Sequence, residues 1–335
     1  MKIKRIALML LVVALLVPAL AACGASGDSK TIKIGAMGPL TGDVAVYGIA
    51  ATNGFKLAAE EVNKAGGILG KQIEMPILDE KGDVNEAVNA YNKLVDQEKV
   101  VAILGDITSK PTISVAQLAA KANIPLVTPT ATAIDVTKQG TNVFRACYID
   151  PFQGEIMAQF AKENLSATKA AVIYNSGDDY SSGLKDSFAA KAAELGLEVV
   201  ATESYAKGDT DFKAQLTKIA ASGAEALFVP DYYNTVALIA NQAKSTGLTI
   251  PLIGVDGWDG VLGSAKPEDV EGYYFANHYS TEDQDPKVQN FLTNYKAAFN
   301  EEPNALAAVG YDAAYILFEA IKAAGTTDSA KVIEA

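Results

Sequence analysis

Apolar positions along this chain follow two alternating rhythms: short β-branched runs of period two, and longer stretches in which apolar residues return every three or four positions. Thr31 to Ala36 alternates as a strand, and Tyr47 to Asn63 carries Phe55, Ala58, Ala59 and Val62 at helical spacing, closed by Gly66-Gly67. The alternation continues through a strand near Ile73 to Leu78 and a helix bearing Ala87, Val88, Tyr91, Leu94 and Val95. A strand over Val100 to Leu104, a helix across Thr112 to Lys121 and a strand at Ile124 to Val127 complete it. Strands alternating in this way with helices predict a parallel sheet covered on both faces.

The rhythm changes near Asn142 to Ala146, where an extended segment meets Asp150-Pro151. Proline disfavours helix at the residue before it, so a domain crossover is expected there, followed by a helix that buries Phe152, Ile156 and Phe160. A second series has strands at Ala170 to Tyr174, Glu198 to Ala201, Ala226 to Val229 and Ile250 to Val255, with helices over Gly183 to Leu195, Asp211 to Ala221 and Val236 to Lys244. The two series echo each other, since Val101 to Leu104 leading through a helix to Ile124-Pro125-Leu126-Val127 recurs as Ala226 to Val229 leading to Ile250-Pro251-Leu252-Ile253. The pattern predicts an α/β chain of two doubly wound parallel-sheet lobes.

The first 22 residues differ in kind. A 17-residue apolar run from Ile6 to Ala22 follows Lys2, Lys4 and Arg5 and ends in Leu20-Ala21-Ala22-Cys23-Gly24. It is interrupted by Pro18 and falls short of the roughly 20 residues that span a bilayer. The segment resembles a bacterial lipoprotein signal with its lipobox. The resemblance implies that residues 1–22 are removed as a signal peptide and that Cys23 carries lipid. Residues 23–30 then form a flexible polar linker, and the protein works outside the cytoplasm, held at the cell membrane by its N-terminal lipid.

The remaining chain is acidic, with 25 basic against 40 acidic residues once the signal is gone. That balance argues against nucleic acid as a partner. The two cysteines, Cys23 and Cys147, leave no intramolecular disulfide if the first is acylated. The single histidine, His278, lies 131 positions from Cys147, which disfavours a thiol nucleophile, and no Cys/His cluster suggests a metal. The glycines at 35, 38, 42 and 48 do not have dinucleotide-loop spacing, so no cofactor is expected and an exported enzyme is the weakest reading.

Ligands of open parallel sheets bind at the carboxyl ends of the strands. Four clusters fall there: Thr108-Ser109, Thr128 to Thr132, Asp231 to Tyr233, and Asp256-Gly257. Ser109 precedes a helix containing Pro111, so its hydroxyl and the first-turn amides suit a carboxylate, with Thr130 and Thr132 adding polar groups from the next loop. Asp256, flanked by glycines at 254 and 257 that admit a close ligand, suits an ammonium. Together they describe a zwitterion, with Tyr47, Tyr180 and Tyr232 as walls and Trp258 alongside as a reporter.

From Thr31 onward the chain resembles the branched-chain amino-acid binding proteins, extracytoplasmic receptors of ABC importers with the type I periplasmic-binding-protein fold. The likeness rests on the order of Lys33-Ile34-Gly35, Gly42, Tyr47-Gly48, Asn63 to Gly70, Thr128 to Thr132, Asp178 to Tyr180, Asp231 to Tyr233 and Asp256-Gly257. It implies lobes of residues 31–147 plus 279–335 and 148–278, joined by hinge strands near Cys147 to Asp150 and Asn277 to Tyr279.

On this resemblance Ser109 and Thr132 hold the ligand carboxylate, Thr130 contributes backbone groups, and Asp256 pairs with the ammonium in place of the longer glutamate of some relatives. Tyr47, Tyr180 and Tyr232 line the pocket. It also implies ABC permease subunits as partners, with monomer as the default state, and a C-terminal strand pair beyond Ala335, so that a longer form is expected to be the more stable. A receptor or sensor for a neutral amide or an aromatic acid keeps the same fold and is the alternative. Asp256 discriminates against it, because such ligands need no buried anion.

Overall fold

Residues 30–335 are described in a computed structural model of the chain. The signal peptide over 1–22, the lipidation residue Cys23 and the linker up to residue 29 lie outside the described residues.

Eleven strands form two sheets among the described residues. The first lobe opens with β1 (Thr31–Gly38) and α1 (Ala45–Lys64), then β2 (Gln72–Glu74), β3 (Ile77–Asp79), α2 (Val84–Asn92), β4 (Ala102–Leu104), α3 (Ser109–Ala122), β5 (Leu126–Thr128) and β6 (Val143–Arg145). Its sheet runs β2-β1-β4-β5-β6, with β3 also paired to β1. The second lobe has α4 (Asp150–Glu163), β7 (Lys169–Asn175), α5 (Asp179–Glu194), β8 (Glu198–Tyr205), α6 (Lys213–Ala221), β9 (Ala226–Phe228), α7 (Tyr233–Ser245), β10 (Leu252–Gly254), a short α8 (Pro267–Val270) and β11 (Tyr274–Phe275). Its sheet runs β11-β10-β9-β7-β8, with every pair parallel. The chain then continues through α9 (Pro286–Phe299), α10 (Ala305–Ala324) and α11 (Ser329–Glu334), with α9 and α10 both against α1.

Central strands are apolar on both faces because helices cover both. Ile34, Ala36, Ala102, Ile103 and Leu104 of the first sheet are buried, as are Ala171, Val172, Ile173, Leu227 and Phe228 of the second. Helices α1 and α10 meet closely enough that a Cβ on Gly310 would lie 2.5 Å from the Ala51 carbonyl oxygen, and one on Gly54 would lie 2.2 Å from that of Ala307. The glycines therefore set the separation of these helices.

Two expectations are corrected. The single strand near Ile73 to Leu78 is two strands, broken at Met75-Pro76, where proline has no N–H to give the ladder. The first helix of the second lobe buries Gln153, Gly154, Met157, Ala158 and Ala161 rather than Phe152 and Ile156, which are exposed. Gly154 turns inward because a Cβ there would meet the Phe188 backbone nitrogen at 2.8 Å, so α4 and α5 pack through small residues.

Candidate ligand-binding cleft

Each lobe offers its strand ends to the same cleft. Ser109 is the first residue of α3, after the loop that follows β4, so the Ser109 and Lys110 amides have no partner within the helix, while Pro111 has no N–H and the Thr112 amide is taken by the Thr108 carbonyl. The Ser109 hydroxyl accepts from the Ala133 amide at 3.2 Å, which leaves its proton to donate. Thr130 spends its proton on the Ile107 carbonyl at 2.6 Å, so what it has left to offer a carboxylate is backbone N–H. The Thr132 hydroxyl is buried without a hydrogen-bond partner. Arg145 pins this loop by donating to the carbonyls of Ala131 at 2.9 Å and Ala133 at 2.8 Å.

On the other side, Asp178 caps α5 by accepting from the Tyr180 amide at 2.9 Å, and this sets the start of the helix that carries Tyr180. The Tyr180 hydroxyl donates to Asp256 Oδ1 at 2.6 Å and accepts from the Gly257 amide at 3.0 Å. The other carboxylate oxygen of Asp256 lies 3.0 Å from His278 Nε2, and its backbone amide donates to Gln153 Oε1 at 3.0 Å. Asp256 is thus anchored from three separate elements.

Aromatic rings close the space between. Tyr180 stacks on Tyr232 with centroids 5.0 Å apart and planes 4° from parallel, and Tyr47 of α1 meets Tyr232 edge-on at 5.9 Å. The Tyr47 hydroxyl crosses the cleft, donating to the Gly257 carbonyl and accepting from the Tyr233 amide at 3.1 Å. Burial pushes the phenols of Tyr47, Tyr180 and Tyr232 well above the usual tyrosine range, so all three stay protonated donors. A second bridge runs from Lys110 Nζ to the Gly177 carbonyl at 2.8 Å.

Tyr47, Ser109, Thr130, Thr132, Tyr180, Tyr232 and Asp256 all line the narrow cleft left between these groups. Ile107, Thr108, Gly257 and Leu306 complete the lining. Thr108 and Tyr232 also face a wider polar chamber outside it, where Asp231 and Asp178 stand near Lys110. Burial pushes the Asp231 carboxyl up to about 7.

The glycines at 254 and 257 also give room to their neighbours, and Gly257 lines the cleft as well. A Cβ on Gly254 would fall 2.0 Å from the buried Trp258 ring, and one on Gly257 would fall 2.7 Å from the Tyr180 hydroxyl. Trp258 is locked there, its indole N–H donating to the Val229 carbonyl at 2.8 Å. Cys147 is a free thiol that burial pushes above its usual range, away from nucleophilic behaviour. Among the described residues no group of three His, Cys, Asp or Glu side chains is placed to hold a metal, and no helix is long and apolar enough to cross a membrane.

Four residues that sequence reasoning left out of the site support it: Arg145, Gln153, His278 and Asp150. Asp150 is buried beside Thr132, and neither of its oxygens has a hydrogen-bond partner. Burial is the largest influence on its carboxyl and pushes it up to about 8. Only the position of Asp150 at the start of a helix was visible in the sequence.

The family model of periplasmic binding proteins matches residues 31–335. A Leu/Ile/Val-binding protein of Rhizobium johnstonii is 32% identical over 303 residues, spanning 90% of this chain and 82% of the relative. The fold superposes on the crystal structure of a leucine-binding protein from Thermotoga maritima with a TM-score of 0.86, 37% identity and coverage of 90% and 86% of the two chains. For the branched-chain amino-acid transporter substrate-binding protein of Streptococcus pneumoniae, in complex with isoleucine, the values are 0.85, 38%, 90% and 87%. With two parallel-sheet lobes meeting at one cleft, the chain belongs to the periplasmic binding proteins, a family of extracytoplasmic solute receptors rather than enzymes.

Proposed function

We propose that the protein captures a branched-chain amino acid, leucine, isoleucine or valine, in this cleft and presents it to the membrane subunits of an ABC importer. The observation that carries the reading is the opposition across one cavity of an anion-accepting helix start, at Ser109 with Thr130 and Thr132, and a buried carboxylate, Asp256. The first side takes the ligand carboxylate and the second its ammonium, while the tyrosines and Leu306 surround the aliphatic side chain. The fit to an amino acid rests on the opposed charges lining this cleft.

Because the two halves of the site come from different lobes, ligand binding favours the closed arrangement. The hinges are the segments around Cys147 to Asp150 and Asn277 to Tyr279, dividing lobes of residues 31–147 plus 279–335 from 148–278. No catalytic role is assigned. Lipid on Cys23 after removal of residues 1–22 tethers a monomeric receptor to the membrane surface.

The test is calorimetric titration of ligand-stripped protein with L-leucine, L-isoleucine, L-valine, acetamide and benzoate. Binding of the amino acids but not of the amide or the aromatic acid supports the reading. Binding of acetamide or benzoate alone overturns it.

A further inference from the structure

The Asp256 carboxylate has an ionisable neighbour that the zwitterion reading does not use. His278 sits in the segment between β11 and α9, its side chain 4% exposed, with Nε2 3.0 Å from Asp256 Oδ2. Its ring is stacked on Tyr148 with centroids 4.0 Å apart and planes 22° from parallel, which fixes the edge that faces Asp256. Tyr148 itself belongs to the other interlobe segment, immediately before α4.

We propose that His278 positions the Asp256 carboxylate and couples ligand capture to proton release, so that the amino acid binds when the imidazole is neutral and is expelled when it is protonated. This rests on the assignment of Asp256 as the ammonium partner. A neutral ring donates Nε2–H to Oδ2 and leaves a full negative charge for the incoming ammonium. A protonated ring already satisfies that charge, and the ammonium then meets a second cation beside a buried carboxylate. One proton passes from the imidazolium to solvent as the ammonium arrives. The other ionisable groups around this corner are Tyr180, which donates to Asp256, Tyr47, and Tyr148 with Cys147, Arg145, Asp150 and Asp259 around it. Asp150, pushed up to about 8, also ionises within the range tested, so its contribution must be separated.

The chain contains one histidine, so its proton resonances report this site alone in protein carrying no polyhistidine tag. In the wild type, L-leucine should lower the midpoint of the histidine titration followed by NMR. Leucine affinity should fall about tenfold or more between pH 8 and 5.5, because each unit of midpoint shift is worth a factor of ten. In His278→Gln the ratio of affinities at those two pH values should shrink below about threefold, whatever the affinity at pH 8. Proton release on binding at pH 6, measured in two buffers of different ionisation enthalpy, should drop with it.

A histidine midpoint unmoved by saturating leucine overturns the inference without any variant, and so does a pH profile identical in wild type and His278→Gln. Failure of the underlying reading looks different, because Asp256→Ala would then bind leucine as tightly as the wild type.

Discussion

At the scale of single residues, the site is a set of charges whose partners determine what each can do. Asp256 is 6% exposed and already receives a phenol and an imidazole, which hold the carboxylate in place for one further cation. Asp256→Ala should weaken leucine binding by about 2–5 kcal/mol, some thirtyfold or more by titration calorimetry, since the ammonium is left unpaired in a closed cleft. Asp256→Glu should cost less, because the charge survives at a longer reach.

The strand-end positions of Ser109, Thr130, Thr132, Tyr232 and Asp256 were legible because strand–helix periodicity locates the carboxyl ends of strands directly. Gln153 and His278 were not, because Gln153 lies 103 residues from Asp256 and His278 22 residues from it, beyond α8 and β11. Nothing local marks such partners. Arg145 was equally hidden, since a lone arginine at a strand end carries no pattern until the loop it clasps has folded back onto it.

At the scale of elements, periodicity found the strands and helices, and close packing decided which faces turned inward. Helix α4 shows the limit: Phe152 and Ile156 are large and apolar yet exposed, whereas Gly154, Met157, Ala158 and Ala161 are buried, and at Gly154 α5 approaches too near for any side chain. The same closeness between α1 and α10 yields a prediction. Gly310→Ala puts a methyl group 2.5 Å from the Ala51 carbonyl oxygen, and backbone atoms on both sides cannot give way cheaply. Overpacking of this kind costs about 1–3 kcal/mol, to be read as a lower denaturant midpoint with an unchanged slope.

At the scale of the whole molecule, closure and ionisation are shared properties of both lobes. The Tyr47 hydroxyl satisfies the Gly257 carbonyl and the Tyr233 amide only when the lobes meet. Tyr47→Phe therefore leaves two buried backbone groups unpaired in the closed form alone, a cost of about 1–3 kcal/mol. Leucine affinity should drop about fivefold or more, and small-angle scattering should show a larger radius at subsaturating leucine than in the wild type.

Stability should also depend on pH in a definite direction. Burial pushes Glu80 up to about 7, Asp231 to about 7 and Asp150 to about 8, and it raises Asp106 beside Glu80 as well. Each binds its proton more tightly in the folded than in the unfolded chain, so stability falls as pH rises from about 4.5 to 8. Asp79, Glu225 and Asp269, held low chiefly by hydrogen bonds, act oppositely and withdraw stability as pH falls below about 4. Melting temperature should peak near pH 5, and Glu80→Gln should flatten its alkaline side. A melting temperature that climbs steadily from pH 5 to 8 would contradict these assignments.

The sequence by itself determined the fold class, the two-lobe plan and the residue types at the strand ends. Periodic burial is a local property of sheets and helices, and parallel strands present their carboxyl ends together. Only the tertiary structure decided that Asp256 is braced by Tyr180 and His278, that Arg145 clasps the 130–134 loop, and that glycines 254 and 257 leave room for Trp258 and Tyr180. Those outcomes depend on contacts between residues far apart in the chain and on clearances of a few tenths of an ångström, and neither leaves a periodic trace in the sequence.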